Sequence, residues 1–422
     1  MNLYTYRRDF FFLISLVFFL RLWILFKYSD QLEGSITPDS REYLWLAQNF
    51  SDSYSLTDSS NPYLSFRRTP IYPLFLSLFS EGKGLFASLV AQQVLSMGIV
   101  YLTWLLSKKL FSEKIAWIAG LLTSIETSLL TSSFMILSET LFTFLFLSGI
   151  YAFIYSQYCH FQKICYAFSG VFFGLSALTR PIGIAIAVIL VLYLLLTHGK
   201  MRLRTLITLS VMVFFIICWS IRSLLSFGIF EVSSIQAHNL HLFEGSGARA
   251  YRLGIPLDDV HAIEANLMSS AIGEEFTLAD EQKYRNARGL TLILENFPWF
   301  IQMHLVGATK LLIGPGQGDS LGFLTSGQIY TAAEVWHFIL VGFLLTLTSF
   351  ILVMALVGIL RSEKSSQFLL ILISLLVVVS ISSGIQAYAR FRAPIAPLLC
   401  VFAAIGIDKL LKKRVPTDRS RP

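Results

Sequence analysis

An aspartate, Asp39, stands in Thr37-Pro38-Asp39-Ser40-Arg41-Glu42-Tyr43-Leu44-Trp45-Leu46-Ala47, one residue into a helix that Pro38 is suited to start. A carboxylate there could take the proton of a polar acceptor at a membrane boundary, or serve only the positive end of the helix dipole. Further on, Arg67-Arg68-Thr69-Pro70-Ile71-Tyr72-Pro73 joins two guanidinium groups to a proline-bounded turn. Guanidinium grips phosphate oxygens in bidentate fashion, which suits Arg67 and Arg68 to a phosphate site; equally, arginines meet headgroups and Tyr72 would sit in the aromatic belt of a bilayer interface. Glu126 and Glu139 lie within or beside apolar runs. An unpaired ionised group at the bilayer centre costs at least ~2.5 kcal/mol, so each should face a cavity or a partner, unless Glu139 only caps its helix with Ser138. Arg180, Arg222, Arg390 and Arg392 end further runs and defy the charge trend of the loops, as arginines that bind a lipid phosphate would.

The elements that must position these residues are membrane helices. Of 422 residues, 55% are hydrophobic and 14% charged, and the mean hydropathy is +0.65. Apolar runs near the ~18–20 residues that cross a hydrocarbon core recur from Phe10 to Leu411. The run after Arg7-Arg8 has no small-residue cleavage site behind it and reads as a retained span.

Lys and Arg clusters at Arg7-Arg8, Lys108 to Lys114, Lys163, Lys200 to Arg204, Arg361-Lys364 and Lys409 to Arg414 mark cytoplasmic loops. They predict an all-α polytopic protein with spans near 10–28, 84–107, 115–134, 138–157, 165–179, 181–197, 205–226, 335–359, 367–386 and 394–411. The ten spans form one transmembrane domain over 1–414, both termini lie inside, and the polar tail 415–422 is expected to be disordered. The loop 28–83 and the segment 226–334 fall outside, each with interfacial helices. Counting the apolar stretch 297–313 as a crossing would strand Arg361 and Lys364 outside, so it is read as interfacial or re-entrant.

The net charge of +7 is scattered through short loops, which argues against a nucleic-acid partner. Cys159, Cys165, Cys218 and Cys400 lie in or at the ends of apolar runs and indicate neither a disulfide framework nor a zinc site. His238 and His241 stand three apart near Gln236 and Asn239, a spacing too common to indicate a metal. No Walker, Gly-x-Gly-x-x-Gly or Gly-x-Ser-x-Gly element is present.

In this order, Pro38-Asp39-Ser40 with Tyr43, Arg68-Thr69-Pro70-Ile71-Tyr72-Pro73, Leu137-Ser138-Glu139-Thr140-Leu141-Phe142, Gly174 to Pro181, and Arg390-Phe391-Arg392-Ala393-Pro394 resemble motifs of the GT-C class. These are integral-membrane glycosyltransferases, and the resemblance is especially to bacterial relatives of protein O-mannosyltransferases and of the lipid A aminoarabinose transferase. The resemblance implies a polyprenyl-phosphate sugar donor and inverting transfer to a lipid, glycan or protein acceptor on the external face of the membrane, in bacteria the periplasmic side of the inner membrane. It assigns Asp39 and Glu139 to the catalytic centre. Arg68, Tyr72, Arg180, Arg222, Arg390 and Arg392, with Lys310 as a further cation, are assigned to the donor phosphate. Many relatives carry two adjacent acids where Asp39 is followed by Ser40, a departure that names no metal ligand yet leaves room for a divalent cation. The rival reading is a lipid or lipid-linked sugar flippase, in which the arginines hold a headgroup and Glu126 couples to protons.

Overall fold

The computed structural model describes residues 3–57, 61–80, 84–272, 276–314 and 335–413, and these form an all-α polytopic membrane protein. Long apolar helices are α1 (Leu3–Lys27), α5 (Gly84–Leu110), α8 (Glu139–Tyr155), α11 (Lys200–Phe227) and α17 (Val335–Arg361). By length and composition, five helices among the described residues could each cross a membrane. A sixth expected span is broken: α6 (Glu113–Ile125) and α7 (Thr127–Phe134) meet at 49°. Glu126 causes the break. It leaves the helix at ψ 129° and caps α7, accepting from Leu129 N at 3.0 Å and Ser128 Oγ at 2.7 Å. A carboxylate that satisfies a new helix start cannot also continue the old one.

The remaining expected spans correspond to shorter helices: α9 (Gln162–Ala177), α10 (Ala185–Leu196), α18 (Ser366–Ser382) and α19 (Ala396–Lys413). Their shared core runs through Phe142, Phe146, Phe153, Tyr166, Phe173 and Tyr193 on α8, α9 and α10. Lipid supplies no hydrophobic drive between helices, so close backbone approach matters. A Cβ on Gly358 of α17 would lie 1.9 Å from the Phe402 carbonyl, and one on Gly406 of α19 would lie 2.1 Å from that of Met354.

Between α1 and α5 lie short helices that cannot span: α2 (Pro38–Ser53), α3 (Pro62–Arg67) and α4 (Ile71–Ser77). Thr37 and Ser40 form a reciprocal capping box at the start of α2, with bonds of 2.9 and 3.2 Å. Ser40, Tyr43, Leu46 and Ala47, at helical spacing, are buried on one face of α2. That stripe seats the helix on Tyr72, Leu89, Ile136 and Leu137, and Ser40 Oγ donates to the Ile136 carbonyl at 2.7 Å.

The segment after α11 carries α12 (Ile235–Asn239), a π-helical turn (Leu240–Gly245), α13 (Ser246–Leu253), α14 (Leu257–Ile272) and α15 (Leu278–Glu295). Helix α16 (Phe297–Ile313) follows and buries Met303, Gly307 and Leu311, one stripe at four-residue spacing. A Cβ on Gly307 would sit 1.8 Å from the Ser383 carbonyl, so α16 lies directly against the turn after α18. The expected cytoplasmic tail and the stretch from 315 to 334 lie outside the described residues.

Glu264 ties the helices of this segment together. Its buried carboxylate accepts from Arg288 at 2.8 and 2.9 Å, from Arg249, and from His241 at 3.2 Å. Burial alone would raise its pKa, but hydrogen bonds from His241, Arg288 and Arg249 outweigh it and lower the pKa from an ordinary 4.5 to about 2. The stabilisation is therefore present above pH 4.5 and is lost as pH falls toward about 2. Glu264→Gln should lower the melting temperature at neutral pH, and thermal unfolding across pH should show its gap to the unsubstituted protein closing over that window.

Candidate active site

Three turns aim three arginines at one place, and hydrogen bonds to backbone carbonyls join the first two. The Leu178 carbonyl accepts from Ile71 N at 3.0 Å, and the Thr179 carbonyl accepts from Thr69 Oγ1 at 2.8 Å. Arg68 and Arg180, far apart in sequence, are thereby fixed side by side. Pro181 opens a 3₁₀ turn (Pro181–Ile184) that folds back on α9, where a Cβ on Gly183 would lie 2.4 Å from Ala177 Cα. Arg390 arrives from a second 3₁₀ turn (Ala389–Arg392) between α18 and α19.

Asp39 receives one guanidinium on each oxygen: Arg68 Nη2 at 2.8 Å and Arg390 Nη2 at 3.0 Å. Its side chain stays 37% exposed, enough for a ligand to reach it. Glu42, one turn on, takes Arg68 Nε at 2.6 Å and Arg67 Nε at 3.0 Å. The second acid of the first loop thus bears on the same arginine from a non-adjacent position, because Ser40 is committed to the capping box. Buried Glu139 meets Arg180 at 2.7 Å and Arg390 at 3.7 Å, and its Oε2 has no hydrogen-bond partner among the described residues. Ser138 Oγ accepts from Arg180 at 3.1 Å and lies 3.2 Å from the Tyr43 hydroxyl. Burial would raise the pKa of Asp39, but Arg68, Arg390 and Arg180 together lower it below the usual aspartate value.

A cavity of about 510 Å³ adjoins this cluster, and Asp39 and Arg390 connect to it through their partners Arg68 and Glu139. Tyr43, Arg68, Glu139 and Arg180 line it, with Ile182, Phe391 and Pro394 supplying an apolar wall. Among the described residues no three His, Cys, Asp or Glu side chains are grouped as metal ligands. Carboxylates already faced by guanidinium groups suit an incoming anion better than a cation.

Four residues expected at the phosphate lie elsewhere. Tyr72 is fully buried beneath α2, where its hydroxyl donates to Gln92 Oε1 at 2.8 Å. Arg222 stacks over Trp219 and Phe227 and donates to Thr57. Lys310 is exposed on α16 and lines no part of the cavity. Arg392 is buried: Nε donates to Glu126 at 2.9 Å, Nη2 to Thr127 Oγ1 at 2.7 Å, and Nη1 to the carbonyls of Leu311, Leu312 and Gly314 at 3.0, 2.7 and 3.0 Å. It closes the end of α16 and neutralises the helix break.

His238 and His241 divide similarly. His241 belongs to the Glu264 cluster, while burial together with Arg67, Arg285, Arg68 and His241 lowers the His238 pKa to about 3 and keeps that ring neutral. Sequence reasoning passed over Glu244 and His304, an ion pair at 2.8 Å on the same cavity. His304 stood out in the sequence only as a polar residue in an apolar stretch, and Glu244 carried no signal.

Several solved structures share this architecture. The archaeal oligosaccharyltransferase AglB from Archaeoglobus fulgidus, in complex with an inhibitory peptide and a dolichol-phosphate, aligns at a TM-score of 0.52 and 14% identity over 97% of this chain and 52% of its own. Its apo form gives 0.52 and 14% over 94% and 51%. The chain has the GT-C fold. It spans about half the length of those structures, so the likeness stops at this domain. ArnT from Cupriavidus metallidurans bound to undecaprenyl phosphate aligns over 96% of this chain and 78% of its own, at 12% identity and a TM-score of 0.40, too low to compare the two folds. A family model described as dolichyl-phosphate-mannose-protein mannosyltransferase matches residues 68–222, a segment of the GT-C fold that holds Arg68, Glu139 and Arg180. No curated protein matches in sequence.

The two arginines of the Ala389–Arg392 turn should separate cleanly. Arg392→Ala strands buried Glu126, and loss of one partner of a buried pair costs about 3–5 kcal/mol, so its melting temperature should drop sharply. Arg390→Ala leaves Glu139 its bond to Arg180, so folding should hold while turnover falls. Thermal unfolding of both purified variants, beside a donor-consumption assay, checks the contrast.

Proposed function

We propose that this chain is an inverting glycosyltransferase that moves a sugar from a polyprenyl-phosphate donor to an acceptor, with its cavity on the external face of the membrane. The observation that carries the reading is Asp39 held between Arg68 and Arg390, where Arg68, with Arg180 and Glu139, lines a cavity that has one apolar wall. The match to mannosyltransferases over 68–222 and the GT-C fold support it, as does the dolichol-phosphate in the archaeal relative.

The lipid phosphate rests against Arg68, Arg180 and Arg390. The acceptor heteroatom attacks the anomeric carbon from the face opposite the phosphate, forming the new glycosidic bond as the carbon–phosphate-oxygen bond breaks. The electron pair leaves with the lipid phosphate, whose growing negative charge the arginines stabilise. The acceptor proton passes to Asp39. A carboxylate whose pKa is lowered is a weaker base, which suits a late proton transfer, after the acceptor has begun to bond and become acidic. Glu139 holds Arg180 and Arg390 toward the phosphate. The charge pattern of the loops supports the external side, because it puts 28–83 and 226–334 opposite the basic clusters.

Asp39→Asn should leave the protein folded and inserted while slowing transfer by about 10²–10⁴-fold, as loss of a general base does. Purified protein incubated with a panel of polyprenyl-phosphate sugars and membrane-extract acceptors, followed by mass spectrometry, measures it; full turnover in the variant would sink the assignment. In the unsubstituted protein the acid limb of kcat/KM should lie below the usual aspartate range. Arg390→Gln removes one of the cations that lower the Asp39 pKa, and so should move that limb to higher pH.

A further inference from the structure

The same cavity carries a second set of polar side chains, which shares no hydrogen bond or ion pair with Asp39 among the described residues. Glu244 sits in the π-helical turn Leu240–Gly245, a geometry frequent at functional sites. Its Oε2 accepts from His304 Nε2 at 2.8 Å, and His304 Nδ1 lies 3.3 Å from Ser383 Oγ. The backbone at Gly384 closes the third side, since a Cβ there would lie 2.1 Å from Glu244 Oε1. Three separate elements thus hold one carboxylate in a fixed place, although it is 24% exposed and nothing at the core requires it.

Gln236 and Asn239, on α12 just before that turn, also line the cavity, and the Phe300 ring lies tilted at 48° to that of His304, 4.2 Å between centroids. Neither amide makes a hydrogen bond to protein among the described residues. A fixed carboxylate accepts from hydroxyls, an amide both donates and accepts, and an aromatic face takes C–H groups. The cluster lacks the guanidinium groups that a phosphate would call for and is too polar for a lipid chain. That combination suits a polyhydroxylated ring.

We propose that Gln236, Asn239, Glu244 and His304 form a subsite for the hydroxyl groups of a sugar ring. The proposal rests on the glycosyl-transfer reading, and the ring has two sources, the donor sugar or a carbohydrate acceptor.

The test uses the full chain in nanodiscs, with Glu244→Gln to remove the charge and Gly384→Ala to push the carboxylate aside with its charge intact. Binding of bare undecaprenyl phosphate is measured first, then KM for undecaprenyl-phosphate mannose and glucose and for membrane-extract acceptor. Bare lipid phosphate should bind the variants within about twofold of the unsubstituted protein, because no phosphate-facing arginine has changed. Loss of a hydrogen bond to a charged group should raise one KM by about tenfold or more. A rise in donor KM assigns the ring to the donor; a rise in acceptor requirement alone assigns it to the acceptor. Both KM values unchanged would overturn the subsite, and so would loss of bare undecaprenyl phosphate binding in the variants, which would mark Glu244 as a structural prop. An unsubstituted protein that binds no undecaprenyl phosphate would overturn the transfer reading itself.

Discussion

A carboxylate beside a hydrocarbon-facing bundle must be neutralised, and here the neutralising charges come from opposite ends of the chain. Asp39 pairs with Arg390 across 351 positions of sequence and with Arg68 across 29. First loop, elbow after α9 and last 3₁₀ turn are therefore brought to one point by charge as well as by packing. Three carboxylates, Asp39, Glu42 and Glu139, face four guanidinium groups, those of Arg67, Arg68, Arg180 and Arg390. The remaining positive charge, 4 − 3 = +1, sits at a cavity with an apolar wall, which is the setting an amphiphilic phosphate fits.

Arg390 and Arg392 show how sharply position decides a side chain's task. Two residues apart on one tight turn, they point at different acids: one at a partly open Asp39, the other at sealed Glu126. Arg392 has every nitrogen engaged, and its Nη1 alone meets three carbonyls at the C-terminal end of α16 that no helix bond reaches. The break at Glu126 thus anchors the helix that carries His304, and a defect in one apolar helix becomes the support of a cavity wall. This use of Glu126 leaves the proton-coupled reading without its main residue.

Much of this was legible in the sequence, because hydropathy and local motifs are local signals. The helices and the surface seat of α2 follow from run lengths and a proline-started helix, while the grouping of Asp39, Arg68, Glu139, Arg180 and Arg390 is what the resemblance to GT-C motifs implies. Local signals cannot say which way an arginine points. Arg222, Arg392 and Lys310 read like Arg390 in sequence, yet stacking, helix capping and exposure claim them. Tyr72 looked like an interfacial tyrosine, and only the seating of α2 over it shows that it is buried. Glu244 was invisible because its partner lies 60 residues away on a helix that hydropathy nearly assigns to the membrane.

The arginines that hold Asp39 are, on the proposed reading, the ones a lipid phosphate must engage. Arg68 need not let go of the protein to do so: Glu42 keeps its Nε at 2.6 Å while Nη2, now on Asp39, is free to turn. Arg390 is backed in the same way by Glu139 at 3.7 Å. Each acid behind the front pair therefore holds its arginine in place while the front bond changes partner. When phosphate takes those donors, Asp39 loses part of what lowers its pKa and becomes a better proton acceptor with the donor in place. The base is thus weakest when nothing is bound to be transferred, a coupling that arises from sharing two guanidinium groups between two anions.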